Sequence, residues 1–87
     1  MTPITLEKIN PNDADAFYNR ANAKSDLKDY YGAISDYTKA IEINPNESEA
    51  YNNRGNRKSD IKDYYGAISD YTKAIEINPN DDDAFYN

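Results

Sequence analysis

The sequence predicts an all-α fold of stacked helix-turn-helix repeats. Two observations carry that prediction, and the punctuation of the chain refines it. First, "KDYYGAISDYTKAIEINPN" occurs at 28–46 and again, letter for letter, at 62–80. An offset of 34 residues is the period of stacked helical hairpins. Second, within that stretch Tyr30, Ala33, Ile34, Tyr37, Ala40 and Ile41 recur at the spacing of an apolar helical stripe, three or four residues apart. The repeat extends past the quoted words, because 14–47 and 48–81 differ at only eight positions.

Taken in order, the first helix of each unit should start near Asp13 or Asn46, whose side chains can accept from the unpaired N–H groups of a first turn, and run to about Leu27 in the first copy. A tight corner follows at Lys28-Asp29 and at Lys62-Asp63, with Asp29 and Asp63 as N-caps of the second helices. Each second helix ends at "INPN", since proline disfavours helical geometry at the preceding Asn44 and Asn78. The ends repeat the unit in part: "LEKINPN" at 6–12 echoes "AIEINPN", and "DDDAFYN" at 81–87 restarts the phase of "DADAFYN". The organisation is therefore a degenerate end of a preceding repeat over 1–13, one repeat over 14–47, a second over 48–81, and the start of a truncated third over 82–87. A lone hairpin cannot cover its own apolar face, so each copy is expected to cover its neighbour.

Composition narrows the function. With no cysteine and no histidine, thiolate chemistry, disulfides and the commonest general base and metal ligand are absent, so we expect neither an enzyme nor a cofactor or metal protein. The net charge of −6 opposes binding to nucleic-acid phosphates. No apolar run approaches the roughly 20 residues that span a bilayer, and no secretion signal opens the chain, so the expectation is a cytoplasmic protein without a membrane partner. Weaker patterns carry little. "NES" at 46–48 reads as a turn, "NPNDDD" at 78–83 lacks the glycine and distant glutamate of a calcium loop, and Ser25 and Ser59 have no base to activate them.

On these residues the chain resembles the tetratricopeptide repeat family. The family's large residue early in the first helix matches Phe17 and Tyr51, and its small residue one turn later matches Ala21 and Gly55. In the second helix its small, aromatic and alanine positions match Ala33 and Ala67, Tyr37 and Tyr71, and Ala40 and Ala74, and the proline after it matches Pro45 and Pro79. The resemblance implies a right-handed α-solenoid whose first helices line a concave groove for an extended peptide. In such a groove the lining residues of the first repeat are Asp15, Tyr18, Asn19, Asn22, Ser25 and Asp26. Those of the second are Glu49, Asn52, Asn53, Asn56, Ser59 and Asp60, and the truncated unit adds Asp83 and Tyr86. The helical wheel sets this stripe opposite Phe17 and Ala21. Its charged members are all acidic, which suits a neutral-to-basic ligand; a solvated helix face is the alternative.

Three departures from the family pattern matter. Arg20, Lys24, Arg54 and Lys58 stand where an apolar residue and a tyrosine are usual. Their stems should pack while their heads reach water or an acid such as Asp36 or Asp70, a phosphate or carboxylate site being the alternative. Lys28 and Lys62 replace the usual corner glycine at a cost in strain; the expectation is that lysine tolerates the turn, a weakened hinge open to domain exchange between chains being the alternative. The subset of the family that grips a peptide's C-terminal carboxylate uses lysines where this chain has Tyr18, Asn52, Asp15 and Glu49, although the asparagines Asn19, Asn22, Asn53 and Asn56 remain. Finally, two full repeats fall short of the three that arrays generally need, and Ile68, Tyr71, Ile75 and Ile77 are expected to face solvent. A homo-oligomer formed through this exposed terminal repeat is thus a partner reading beside the peptide ligand, and a self-assembling fragment, engineered or excised, is the alternative function.

Overall fold

The computed structural model describes residues 12–79, so the partial units at either end, with Asp83 and Tyr86, lie outside the described residues. Four helices follow one another: α1 (Ala14–Asp26), α2 (Tyr30–Ile43), α3 (Ser48–Asp60) and α4 (Tyr64–Ile77). Helix α1 packs on α2, α3 packs on α4, and α2 packs on α3, so the two hairpins stack in the order of the chain.

Local chemistry sets the boundaries. Asp13 Oδ1 accepts from Ala16 N–H at 3.1 Å, and Asp29 and Asp63 accept from Gly32 and Gly66 N–H at 3.0 Å, giving three helices a side-chain N-cap. The start of α3 differs from expectation. Its N-cap is Glu47, which makes no side-chain cap bond, whereas Asn46 sits in the turn, its N–H donating to Asn44 Oδ1. Glu47 is the counterpart of Asp13, and its extra methylene carries the carboxylate past the first-turn donors. Asn44 and Asn78, ahead of the prolines, leave helical geometry at ψ of 90° and 85°.

Both corners close in the same way. Lys28 and Lys62 adopt left-handed backbone angles, φ 65° and 69°. In each corner the lysine N–H donates to the carbonyl of Ser25 or Ser59 at 2.9 Å, and the following aspartate N–H donates to Lys24 or Lys58 O at 2.8 Å. This is the Schellman arrangement, which normally recruits glycine.

The core is built of small residues around one large ring. Ala21, Ala33 and Tyr37 form its buried centre, with Tyr18 packed against them, and Ala40, Ile41, Ala50, Ala67 and Ala74 extend it. Tyr18 meets Tyr37 edge to face at 5.8 Å between ring centres, a geometry worth about 0.5–1.5 kcal/mol beyond burial. In the second hairpin Asn52 replaces Tyr18, and Tyr71 instead leans onto Gly55, where a β-carbon would stand 2.7 Å from its Cε1. That close approach half-buries Tyr71. Ile75 and Ile77 are also half-buried, so of the four residues expected to face solvent only Ile68 does, and Tyr64 joins it.

The basic residues near the core pair with buried acids. Arg20 donates to Asp36 at 2.7 and 2.9 Å and Lys24 Nζ lies 3.1 Å away; Arg54 donates to Asp70 at 2.8 and 2.7 Å with Lys58 Nζ at 3.1 Å. Each aspartate is buried on the second helix and each pair of cations is held on the first, so the two ion triads clamp the hairpins shut. Arg20 and Arg54 also lie over the rings of Phe17 and Tyr51, both at 5.6 Å.

Candidate interaction face

The face shared by α1 and α3 is the place the sequence marks out. Its floor is a row of tyrosine-to-asparagine hydrogen bonds. Tyr37 Oη donates to Asn22 Oδ1, and Tyr71 Oη donates to Asn56 Oδ1 at 2.6 Å. Burial raises Tyr37 and Tyr71 above their ordinary value of 10.0, which keeps both phenols protonated and able to donate. An asparagine whose carbonyl is occupied in this way turns its amide nitrogen, a two-proton donor, to the other side. Two such amides recur one repeat apart, and that of Asn22 also hydrogen-bonds the Tyr18 side chain, which leaves it one proton to offer.

Across the two helices, Asn53 Nδ2 donates to Tyr18 Oη at 2.9 Å. Burial, reinforced by the Glu49 carboxylate, pushes the Tyr18 phenol up as well. Around this row Asp15, Asn19, Asp26, Glu49 and Asp60 are exposed or nearly so, and Ser25 and Ser59 are half-buried. Asn52 is not on the open face: it is buried, so the stripe expected from the wheel is interrupted in the second repeat.

Sequence reasoning missed Arg57. Its guanidinium lies 5.7 Å from the Tyr30 ring centre, bridging the repeats, and its Nε donates to Asp60 Oδ2 at 2.8 Å. Ala23 stands at the corresponding place beside Asp26. The two acids that close the stripe are thus unlike, one tied to a cation and the other not. The signal was present, since Arg57 is among the eight differences between repeats and is the largest change in size and charge among them. The sequence reading likewise did not pair Tyr37 with Asn22 or Tyr71 with Asn56, although a phenol on an apolar stripe needs a hydrogen-bond partner and that need was the available signal.

No helix among the described residues is long and apolar enough to cross a membrane. A search of curated proteins found no match. Among solved structures, the fold superposes on the first TPR of Spaghetti (RPAP3) bound to HSP90 peptide SRMEEVD, with TM-score 0.86 and 30% identity over 88% of this chain and 61% of that one. The Arabidopsis OM64 TPR domain matches with TM-score 0.87 and 30% identity, covering 91% and 65% respectively. MamA matches with TM-score 0.86 and 26% identity, covering 88% and 45%. The chain spans less than two thirds of the length of each of these relatives. The model of the tetratricopeptide repeat matches residues 14–47 and 48–81, the two units read from the period, and the chain accordingly belongs to the tetratricopeptide repeat family.

Proposed function

We infer that the α1/α3 face is a non-enzymatic docking surface for an extended peptide of neutral to basic character. The observation that carries this reading is the pair of oriented amides, Asn22 and Asn56, each with its carbonyl held by a tyrosine hydroxyl, that of buried Tyr37 and that of half-buried Tyr71. Their nitrogens offer donors to carbonyls of an extended backbone, and the exposed acids beside them favour lysine or arginine side chains. The relative that holds the peptide SRMEEVD supports peptide binding in general. The acidic character of that peptide does not suit this chain, which has Tyr18, Asp15 and Glu49 where charge of the opposite sign would be wanted, and whose Asn53 amide is engaged by Tyr18.

Titration calorimetry with a lysine-containing peptide and an acidic one, at physiological salt, tests this. The basic peptide should bind, and Asp26→Lys with Asp60→Lys should weaken it roughly tenfold, as expected for two reversed surface charges. Comparable affinity for the acidic peptide, or no effect of the double substitution, ends the reading. A second reading, self-association through the terminal repeat, is favoured by the exposure of Tyr64 and Ile68 on α4.

A further inference from the structure

Helices α2 and α4 have the same sequence, YYGAISDYTKAIEI, so any difference in their burial reports a neighbour rather than a residue. Tyr37 and Ile41 are buried where Tyr71 and Ile75 are half-buried, and Tyr30 and Ile34 are half-buried where Tyr64 and Ile68 are 56% and 59% exposed. Beyond its own hairpin partner α1, whose Tyr18 packs on Tyr37, what covers α2 is α3. The same comparison between α1 and α3 shows what α3 contributes to that contact. Ala50 is buried while its counterpart Ala16 is exposed, and the side chain of Arg54 is 15% exposed where that of Arg20 is 60%.

The junction has a polar signature. Arg54 uses Nε and Nη2 for Asp70 and donates from Nη1 to Thr38 Oγ1 on α2 at 3.1 Å. Arg20 uses the same two nitrogens for Asp36, and Thr72, the counterpart of Thr38, lies exposed on α4. Among the described residues, the two open faces are therefore the two halves of an interface already made internally.

We propose that these faces join in solution: the α1 face of one copy seats on the α4 face of another as α3 seats on α2, with Arg20 donating to the partner's Thr72. This rests on the self-association reading and specifies its register. The contact is heterologous, head to tail, and each junction leaves one open face of each kind, so copies add in an open series. It is also a weaker version of the internal junction. Ala23 stands where Arg57 covers Tyr30, so the partner's Tyr64 lacks its guanidinium.

The test is sedimentation velocity of the full chain over a micromolar to millimolar series, with two single variants placed on residues exposed in the monomer. Ala16→Glu breaks only the α1 face, and Ile68→Glu breaks only the α4 face. Wild type should grow in mass with concentration, and each variant alone should stay monomeric. An equimolar mixture of the two variants should form a dimer and stop there, because only one sound junction remains. Ala23→Arg, which supplies the missing guanidinium, should tighten association roughly two- to fivefold. A wild type that stays monomeric throughout ends self-association altogether. If wild type associates and Ala16→Glu associates equally, or the mixture stays monomeric, or Ala23→Arg fails to tighten association, the head-to-tail register is wrong while self-association itself survives.

Discussion

Helices α2 and α4 are a controlled experiment within one molecule, since fourteen identical residues are placed in two settings. In the first, α3 lies across them and Tyr37 is 1% exposed; in the second, no such cover stands among the described residues and Tyr71 settles halfway, leaning on Gly55. Identical letters thus give identical helices with identical caps and corners, but not identical cores. Backbone geometry in this fold is set by each unit alone, whereas burial is set by the pair of units that meet. The eight substitutions that distinguish the repeats cluster in the first helices, the elements that must meet a different neighbour in each copy.

The sharpest way to break this comparison is to delete the same ring from both settings. Tyr37→Ala removes a fully buried side chain, its edge contact with Tyr18 and its bond to Asn22, and should cost about 4 kcal/mol. Tyr71→Ala removes a half-buried ring and should cost about half of that. Urea unfolding followed by circular dichroism measures both. Equal losses would mean that α3 adds nothing to the burial of α2.

The ion triads invert the order of the two repeats. Arg54 is largely buried by its place between the hairpins, so Asp70→Ala leaves a guanidinium and the Lys58 ammonium without their acid and should cost about 3 kcal/mol. Arg20 reaches water readily, and Asp36→Ala should cost clearly less. The same urea series checks the order. Asp36 also has a pH signature. Hydrogen bonding to Arg20, aided by Lys24 and opposed by burial, holds its carboxyl below the ordinary 3.8. A carboxyl lowered in the folded state contributes stability that is present above the ordinary value and is lost as pH falls through the lowered one. The acid limb of wild-type stability should therefore be steeper than that of Asp36→Asn, and superimposable limbs would remove the triad from the account of acid stability.

How far these differences could be read beforehand follows the same division. The stripe of α2, the caps at Asp29 and Asp63, the lysine corners and the pairing of Arg20 and Arg54 with Asp36 and Asp70 all depend on spacing within one unit, and each was legible. Asn46 was misread as a cap because the choice between it and Glu47 depends on how the turn after Pro45 closes. The burial of Asn52, the lean of Tyr71 into Gly55 and the placement of Arg57 over Tyr30 depend on a second helix arriving from another unit. Periodicity carries no information about that arrival. The candidate face was accordingly legible in its composition, a row of asparagines and acids, but not in its geometry, in which tyrosines orient the amides and one acid is already paired.

The corners supply the smallest effect and the most direct check on the claim that backbone geometry belongs to each unit. Lys28 and Lys62 hold φ of 65° and 69° with the same pair of closing hydrogen bonds, although one corner belongs to the covered hairpin and the other to the open one. A left-handed conformation strains any residue bearing a β-carbon, and glycine removes that strain while adding freedom to the unfolded chain. Lys28→Gly and Lys62→Gly should each raise stability by a net of about 0.5–1 kcal/mol, and by the same amount within error. A double variant should show the sum, because the two corners share no partner. Unequal gains in urea unfolding would show that the strain in a corner is felt through the junction between repeats, and the separation of local geometry from neighbour-set burial would then have to be abandoned.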